Sequence, residues 1–178
     1  MAIIASDILF KFAEGTGPGN TNASTGNGSL GGWISTTTLS TGTTHDLFDV
    51  VSGAENAAST VDYRCVFVHN SHATLSLQNA VLWLSTEVAG GATAAIGLDT
   101  NAASPIGQVG AQALTVVDEL TAPAGVTFTA PTTFGTGLAI GTLAAGECRA
   151  FWVRRTAANT AALTGDGVTF SVQGDTAA

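Results

Sequence analysis

Charged residues are scarce in this sequence. Only 10% of its 178 residues are Asp, Glu, Lys or Arg, whereas an average soluble protein has about 25%. Basic residues are the scarcest, since 5 Lys and Arg stand against 13 Asp and Glu and leave a formal net charge of −8. A nucleic-acid-binding protein carries a basic surface, so this composition excludes that class. The shortage of Glu and Lys also excludes a coiled coil.

Long apolar runs are missing as well. No stretch reaches the about 18 consecutive apolar residues of a transmembrane helix, so we expect no membrane partner. The first residues lack the basic start and apolar core of a secretory signal, which predicts a protein made and used without export. Under that expectation the two cysteines, Cys65 and Cys148, are free buried thiols rather than a disulfide.

Small neutral residues take the place of the missing charges. The sequence contains 22 glycines, together with many Ala, Thr, Ser and Asn residues. A surface made of them costs little to desolvate, because few ions lose water when it is covered. Two interpretations stay open: a monomer kept soluble by its acidic excess, or a protomer covered in part by its own copies or by a larger assembly.

Short apolar runs with frequent turn signals predict β-strands along most of the chain. The clearest alternation covers 61–70 and 148–155. Weaker candidates are 3–12, 33–39, 47–51, 74–77, 80–85, 93–98, 114–117, 126–129, 138–140 and 168–172. Residues 52–56 are typical of a turn, and 112–120 and 156–163 resemble helices. Many short strands with regular turns predict an all-β fold, specifically an antiparallel, jelly-roll-like β-sandwich.

The segment from Glu14 to Gly32 has a different composition, dominated by Gly, Asn, Thr and Ser. Loops of this length are usually functional arms or disordered. The sequence therefore predicts an N-terminal strand and extended arm over residues 1–32, followed by a β-sandwich domain over 33–178. Because ordering costs about 1–2 kcal/mol per backbone residue, we expect 13–32 to be disordered in the free subunit and fixed against a neighbour.

Metal-ligating residues are few. His69 and His72 stand three positions apart, but a strand-to-turn junction would make their side chains diverge, and a third ligand is needed. A second group fits no calcium-loop spacing; it consists of His45, Asp46, Asp49 and Glu55. We therefore predict no metal and no cofactor.

Catalytic motifs are missing too. Asn27 stands where a Gly-x-Ser-x-Gly elbow needs its first glycine. Cys65 and His69 share a strand face, but at the usual rise they lie about 13 Å apart. The glycine-rich run 15–19 lacks the Lys of a phosphate loop. The sequence predicts no catalytic residue and hence no enzyme.

The tryptophans and strand arginines are the remaining residues of interest. Trp83 and Trp152 lie in apolar runs and are expected in the core, whereas Trp33 follows two glycines and is expected at a surface or interface. Arg64 and Arg154 occupy strand positions. Each is expected either to pair with an acid of this chain or another subunit, or to face solvent.

Several runs, in their order, resemble a family of small virion structural proteins of tailed bacteriophages. They are 29–32, 47–55, 63–70, 75–83, 121–128 and 151–156, which together span most of the chain. The most distinctive is Tyr63-Arg64-Cys65-Val66-Phe67-Val68-His69-Asn70. The resemblance implies a β-sandwich or jelly-roll subunit of a virus particle, above all a head decoration (cement) protein.

What the resemblance implies for function is a non-enzymatic protein on the exterior of the capsid. Its partners would be the major capsid protein and its own copies, as a dimer or trimer. The acidic excess agrees with an external position, because DNA phosphates repel it from the interior. Expected assembly contacts are Asn20, Asn22, Ser29, Leu30 and Trp33. The alternatives are a tail, fibre or baseplate module that binds host glycan and, less favoured, an enzyme on a sandwich scaffold.

Overall fold

A computed structural model describes residues 2–176. In that range the strands are β1 (Ile8–Glu14), β2 (Trp33–Thr38), β3 (Val61–Asn70), β4 (Leu77–Glu87), β5 (Thr93–Leu98), β6 (Ser104–Pro105), β7 (Leu138–Leu143), β8 (Glu147–Thr156) and β9 (Val168–Thr176). Helical structure within residues 2–176 is limited to α1 (Gly53–Ala58) and two 3-10 turns, Ala5–Asp7 and Phe134–Thr136. No helix among residues 2–176 has the length and apolar character needed to span a bilayer.

The strands form two antiparallel sheets packed face to face, which confirms the predicted β-sandwich. The large sheet has the order β2-β1-β3-β8-β5, with β6 paired to one end of β8, and the small sheet has the order β7-β4-β9. The longest unbroken pairing joins β3 to β8, from Val61 opposite Thr156 to His69 opposite Cys148. These two strands are the runs with the clearest alternation in the sequence.

The core between the sheets is aliphatic and aromatic. Alternate residues of a strand point to the same face, so β3, β4 and β8 each send every second side chain into this space. Its fully or nearly fully buried members include Val66, Val68, Leu82, Leu84 and Phe151. We call the face of the large sheet that lines this core the inner face.

The opposite face of the large sheet, the outer face, is buried as well. A second cluster covers it and includes Cys65, Phe67, Cys148, Ala150 and Trp152. Side chains from residues 15–32 and 99–130 complete this cluster, and we call these two segments the loop layer. Burial on both faces explains why β3 and β8 carry apolar residues on both sides.

The predicted strand at 47–51 does not form. Arg155 Nη1 donates a hydrogen bond to the carbonyl oxygen of Asp49 at 2.5 Å. The neighbouring Phe48 ring lies under two guanidinium groups, with its centroid 5.5 Å from Arg64 Cζ and 4.7 Å from Arg155 Cζ. Side chains of the large sheet therefore hold this segment, instead of the backbone of a neighbouring strand.

The predicted turn at 52–56 is the beginning of α1. Ser52 Oγ accepts a hydrogen bond from the backbone N–H of Glu55 at 3.2 Å, and Glu55 Oε2 accepts one from the backbone N–H of Ser52 at 2.6 Å. This reciprocal pair is a capping box, which satisfies two backbone donors at a helix N-terminus. The same hydrogen bonds lower the pKa of Glu55.

Other weak predictions also fail. Within 114–117 and 126–129 the backbone makes only single-residue bridges, Thr115 with Gly31 and Thr129 with Ile96. The helix-like stretches 112–120 and 156–163 contain no helix. Glycine and proline breakers shorten these segments, and the loop layer holds them by isolated hydrogen bonds rather than by a regular ladder.

The segment 15–32 does not extend away from the sandwich. Ser29 is 0% exposed. Its Oγ donates to the carbonyl oxygen of Cys65 at 2.5 Å and accepts from the backbone N–H of Ala13 at 2.7 Å. The backbone N–H of Cys65 in turn donates to the carbonyl oxygen of Ser29 at 2.8 Å. The chain's own sheet thus supplies contacts for the segment that the sequence analysis assigned to a neighbouring subunit.

Candidate functional site

The basic side chains lie in three neighbouring strands of the large sheet. They are Lys11 in β1, Arg64 in β3, and Arg149, Arg154 and Arg155 in β8. Lys11, Arg64 and Arg155 are 7%, 1% and 9% exposed, and the other two are half-buried. Among the described residues, the fully exposed positions are therefore acidic or neutral, and basic groups reach the surface only in part, at Arg149 and Arg154.

Carboxylates neutralise two of these guanidinium groups. Arg155 Nε and Nη2 donate to Asp62 Oδ2 at 2.8 and 2.5 Å, and Asp62 is itself 3% exposed. Arg64 forms an ion pair with Glu119 of the loop layer. The expectation that Arg64 pairs with an acid of this chain is confirmed. Its partner, Glu119, lies 55 residues away in sequence.

A buried carboxylate fastens the second part of the loop layer. Asp99, 2% exposed, accepts hydrogen bonds at Oδ2 from Trp152 Nε1 at 2.7 Å and from the backbone N–H of Leu114 at 2.9 Å. Its Oδ1 accepts from the backbone N–H of Asn101 at 2.8 Å. The indole of a core tryptophan and two loop amides thus share one acceptor residue, which fixes the loop relative to β8.

Gln112 makes a similar connection from the loop side. It is 2% exposed, and its Oε1 accepts from the backbone N–H of Ile34 in β2 at 3.1 Å. Its Nε2 donates to Ser104 Oγ at 3.1 Å and to the carbonyl oxygen of Pro105 at 2.9 Å. The loop layer is therefore a fixed surface held by a small number of buried polar side chains.

The residues expected to contact a partner lie at different depths in this layer. Asn22 is exposed, and Leu30 is half-buried against the outer-face core. Asn20 is half-buried, and its Oδ1 accepts from Lys11 Nζ at 2.7 Å. Ser29 has no exposed surface in this chain, and its hydroxyl holds the segment against β1 and β3.

Trp33, the fifth of these residues, lies half-buried at the surface of the loop layer. Its Nε1 donates to the carbonyl oxygen of Val109 at 2.9 Å. Gly17 lies against the ring so closely that a Cβ there would come within 2.4 Å of the indole. The ring is therefore fixed in one orientation. Trp152 is 0% exposed as expected, whereas Trp83 is only half-buried and contacts Phe134.

The loop layer carries exposed aliphatic side chains. Val117, Val109 and Leu120 are 84%, 79% and 60% exposed. These side chains are the most exposed large aliphatic groups of the loop layer. Sequence analysis did not single them out, because it placed Val117 in a candidate strand at 114–117 and Leu120 in a helix-like stretch at 112–120.

A histidine–cysteine pair that sequence reasoning missed lies on the outer face. His69 and Cys148 are directly opposite each other in the β3–β8 register. Burial lowers the pKa of His69 to about 4 and raises the pKa of Cys148 to about 12. The thiol therefore stays protonated beside a neutral imidazole, whereas nucleophilic catalysis requires a thiolate. Both cysteines are free and buried, which confirms that prediction.

His72 lies beyond the end of β3 and is engaged with the backbone. Its Nδ1 accepts from the backbone N–H groups of Thr74 and Leu75 at 3.1 and 3.0 Å. Within residues 2–176, no group of three or more His, Cys, Asp and Glu side chains is arranged to hold a metal ion. The two hydrogen bonds that the His72 imidazole accepts stabilise the turn at 70–75.

The acidic group at 45–49 lines an open groove of about 570 Å³ between the loop layer and the 39–52 segment. Its carboxylates already have partners. Asp46 Oδ2 accepts from the backbone N–H of Ser40 at 2.6 Å, and Asp49 Oδ1 accepts from Arg155 Nη2 at 3.2 Å. These contacts hold the segment in place.

No protein-family model, curated protein or solved structure matches this chain. The surface of residues 2–176 is acidic or neutral where it is fully exposed, its bases are buried or half-buried, and its loop layer carries exposed aliphatic groups.

Proposed function

We propose that this chain is a head decoration (cement) protein of a tailed bacteriophage. In this role it has no enzymatic activity, binds the major capsid protein lattice from outside and stabilises the shell. The observation that carries the proposal is the placement of all five basic side chains in β1, β3 and β8, where three are buried and two are half-buried.

Electrostatics favour the exterior of a capsid. Packaged DNA fills the interior with phosphate charge, and a net charge of −8 with the bases buried or half-buried is repelled by it. The same surface suits extensive protein contact, because Thr, Ser, Asn and Gly lose less hydration energy than ions when they are covered.

The proposed contact surface is the loop layer around Trp33, Val109 and Val117. Asp99 and Gln112 hold this layer in place before any partner binds. A preformed surface loses less conformational entropy on binding than a disordered arm would. The fixed loops therefore support the function that the sequence analysis assigned to an extended arm.

Binding to shells tests the proposal. Purified chain is mixed with shells of the phage whose genome encodes it and then sedimented, and its copies per capsid subunit are counted by quantitative mass spectrometry. We expect a fixed ratio that matches the lattice. Val117→Asp should weaken binding about tenfold or more, because a desolvated charge replaces an apolar contact.

The matched control is Val50→Asp, because Val50 is also an exposed valine, at 61%, but lies outside the loop layer. It should leave shell binding unchanged. A wild-type chain that stays in the supernatant with every shell preparation would refute the decoration role. Equal effects of the two substitutions would place the contact elsewhere.

One observation favours the alternative of a glycan-binding tail module. Trp83 and Phe134 form an edge-to-face pair on the uncovered side of the small sheet, with ring centroids 6.0 Å apart, and Phe134 is 46% exposed. Aromatic faces combined with polar neighbours are suited to stacking against sugar rings. This alternative predicts a few copies at the tail and loss of host-polysaccharide binding in Phe134→Ala.

A further inference from the structure

The chain covers both edges of its large sheet. Residues 20–24 lie along β2, where the backbone N–H of Asn20 donates to the carbonyl oxygen of Ile34 at 2.6 Å and that of Thr36 donates to Asn22 at 2.8 Å. Beside β5, Ile96 and Thr129 exchange two backbone hydrogen bonds at 2.7 and 2.9 Å. Covering of this kind prevents a sheet from adding strands of another chain.

The small sheet differs, because neither of its edge strands, β7 and β9, has a strand on its outer side among residues 2–176. At β7, Arg149 Nη1 donates to the carbonyl oxygen of Ile140 at 2.5 Å. At β9, no strand among residues 2–176 lies beside the outer edge. This strand has 9 residues and contains no Lys, Arg or Pro, the residues that commonly protect an edge from pairing.

We propose that β9 pairs antiparallel with β9 of a second copy of this chain around a two-fold axis. The pairing would join the two small sheets into one continuous sheet across the dimer. Such an interface is self-complementary, since each copy presents the same strand to the other. The proposed dimer is a property separate from capsid binding, and sedimentation of the chain alone tests it.

The side chains of β9 favour this occupant. Val168, Phe170 and Val172 point toward the inner core and are only half-buried, and no strand among residues 2–176 pairs with β9 on their outer side. A second β9 would bring its own apolar row alongside and extend the inner core across the axis. Backbone pairing supplies direction, and this row supplies the additional apolar burial.

Charge sets the orientation. Asp175 is the only charged residue of β9 and stands next to its C-terminal end. Antiparallel pairing places the two Asp175 carboxylates at opposite ends of the interface. Parallel in-register pairing would place them side by side, and like charges opposite each other destabilise a sheet.

The test uses Thr169 and Gln173, which are both exposed and lie symmetrically about Ser171. Sedimentation velocity of the full chain over a range of concentrations should show a reversible dimer for the wild type. The double variants Thr169→Asp/Gln173→Asp and Thr169→Lys/Gln173→Lys should each be monomeric. An equimolar mixture of the two should restore the dimer, because opposite charges then face each other across the axis.

The matched control places the same charges on a covered edge. Thr36 and Thr38 are exposed residues of β2, so Thr36→Lys/Thr38→Lys should leave the dimer intact. Circular dichroism checks that every variant is folded. A wild type that stays monomeric at all concentrations overturns the proposal, as do double variants that still self-associate alone or fail to associate when mixed. Shell binding by the monomeric variants would show that this outcome is separate from the decoration role.

Discussion

The two faces of the large sheet are buried by different means. The inner face packs on a second sheet through aliphatic and aromatic side chains such as Val66 and Phe151. The outer face lies under irregular loops rich in Gly, Ser and Asn, which are fastened by Ser29, Asp99 and Gln112. An apolar sheet face therefore does not need a second sheet to cover it, provided that a few polar anchors fix the covering loops.

The difference has energetic consequences. Burial of apolar surface contributes about 25 cal/mol per Å² without directional preference. A hydrogen bond contributes about 1 kcal/mol net but requires its partner in place. We therefore expect inner-face substitutions to lower the stability of the whole domain. Outer-face substitutions should loosen the loop layer first, since parts of a protein open independently.

The largest expected effect is that of Phe151→Ala on the inner face. Phe151 is 1% exposed, and its ring packs against Phe10 and Phe170 with centroid distances of 6.1 and 5.4 Å. Removing it should lower the free energy of unfolding by about 3–5 kcal/mol, measured by urea denaturation. Phe134→Ala is the control, because Phe134 is 46% exposed. This substitution should lower the free energy of unfolding by only about 1 kcal/mol. Similar losses in both variants would contradict the assignment of the inner core.

A smaller effect is expected for Asp99→Ala on the outer face. The substitution leaves Trp152 Nε1 and the Leu114 N–H without their acceptor, which costs about 1–3 kcal/mol. Hydrogen exchange should accelerate in 99–117 more than in β4 or β9. Asp99→Asn retains an acceptor oxygen and should recover part of the protection. Uniform acceleration over the whole chain would show that the two faces do not open separately.

Ser29→Ala should cost less, about 1 kcal/mol, since it removes one buried hydroxyl that both donates and accepts. The expected result is faster hydrogen exchange confined to 15–32. Thr25→Ala, at an exposed position of the same segment, should leave exchange unchanged. Fast exchange of 15–32 in the wild type would instead support the extended arm that the composition predicts.

Regular elements were predictable where both faces of a strand carry a pattern. Val61–Asn70 was predicted with the bounds it has in the structure, and Glu147–Thr156 within one residue at each end. The capping box of α1 was also present in the sequence, as Ser52 followed three residues later by Glu55, and was overlooked. The segment 47–51 has an apolar strand-like composition, but its structure is decided by Arg155, more than 100 residues away.

The loop layer was not predictable from local pattern. Ser29 is one serine among many, and nothing in its neighbourhood distinguishes it from exposed serines. Its burial depends on a non-local contact with Cys65. The proximity of His69 and Cys148 likewise depends on the β3–β8 register, which links residues almost 80 positions apart in sequence. Composition predicted the nature of the surface, but only the fold shows that the basic residues are withdrawn from it.

The smallest expected effect concerns pH and the outer face. His69 is 5% exposed, and burial, followed by the nearby charge of Lys11, lowers its pKa to about 4, against about 6.5 in an unfolded chain. Between these values the unfolded chain binds a proton that the folded chain does not. The free energy of unfolding therefore decreases as the pH falls from about 6.5 to about 4. Above about 6.5, His69 is neutral in both states and has no effect on the pH dependence of stability.

The measurement is the free energy of unfolding as a function of pH, in the wild type and in His69→Leu. The variant should lose part of the slope between pH about 6.5 and about 4, while slopes from carboxylates persist in both proteins. Lys11 and Cys148, the other titratable groups that influence His69 or face it, stay unchanged. His45→Asn is the control, because His45 is exposed and has a positive φ that asparagine tolerates. An identical pH profile for the wild type and His69→Leu would mean that the loop layer leaves His69 open to water, and the two faces would then differ less than their packing indicates.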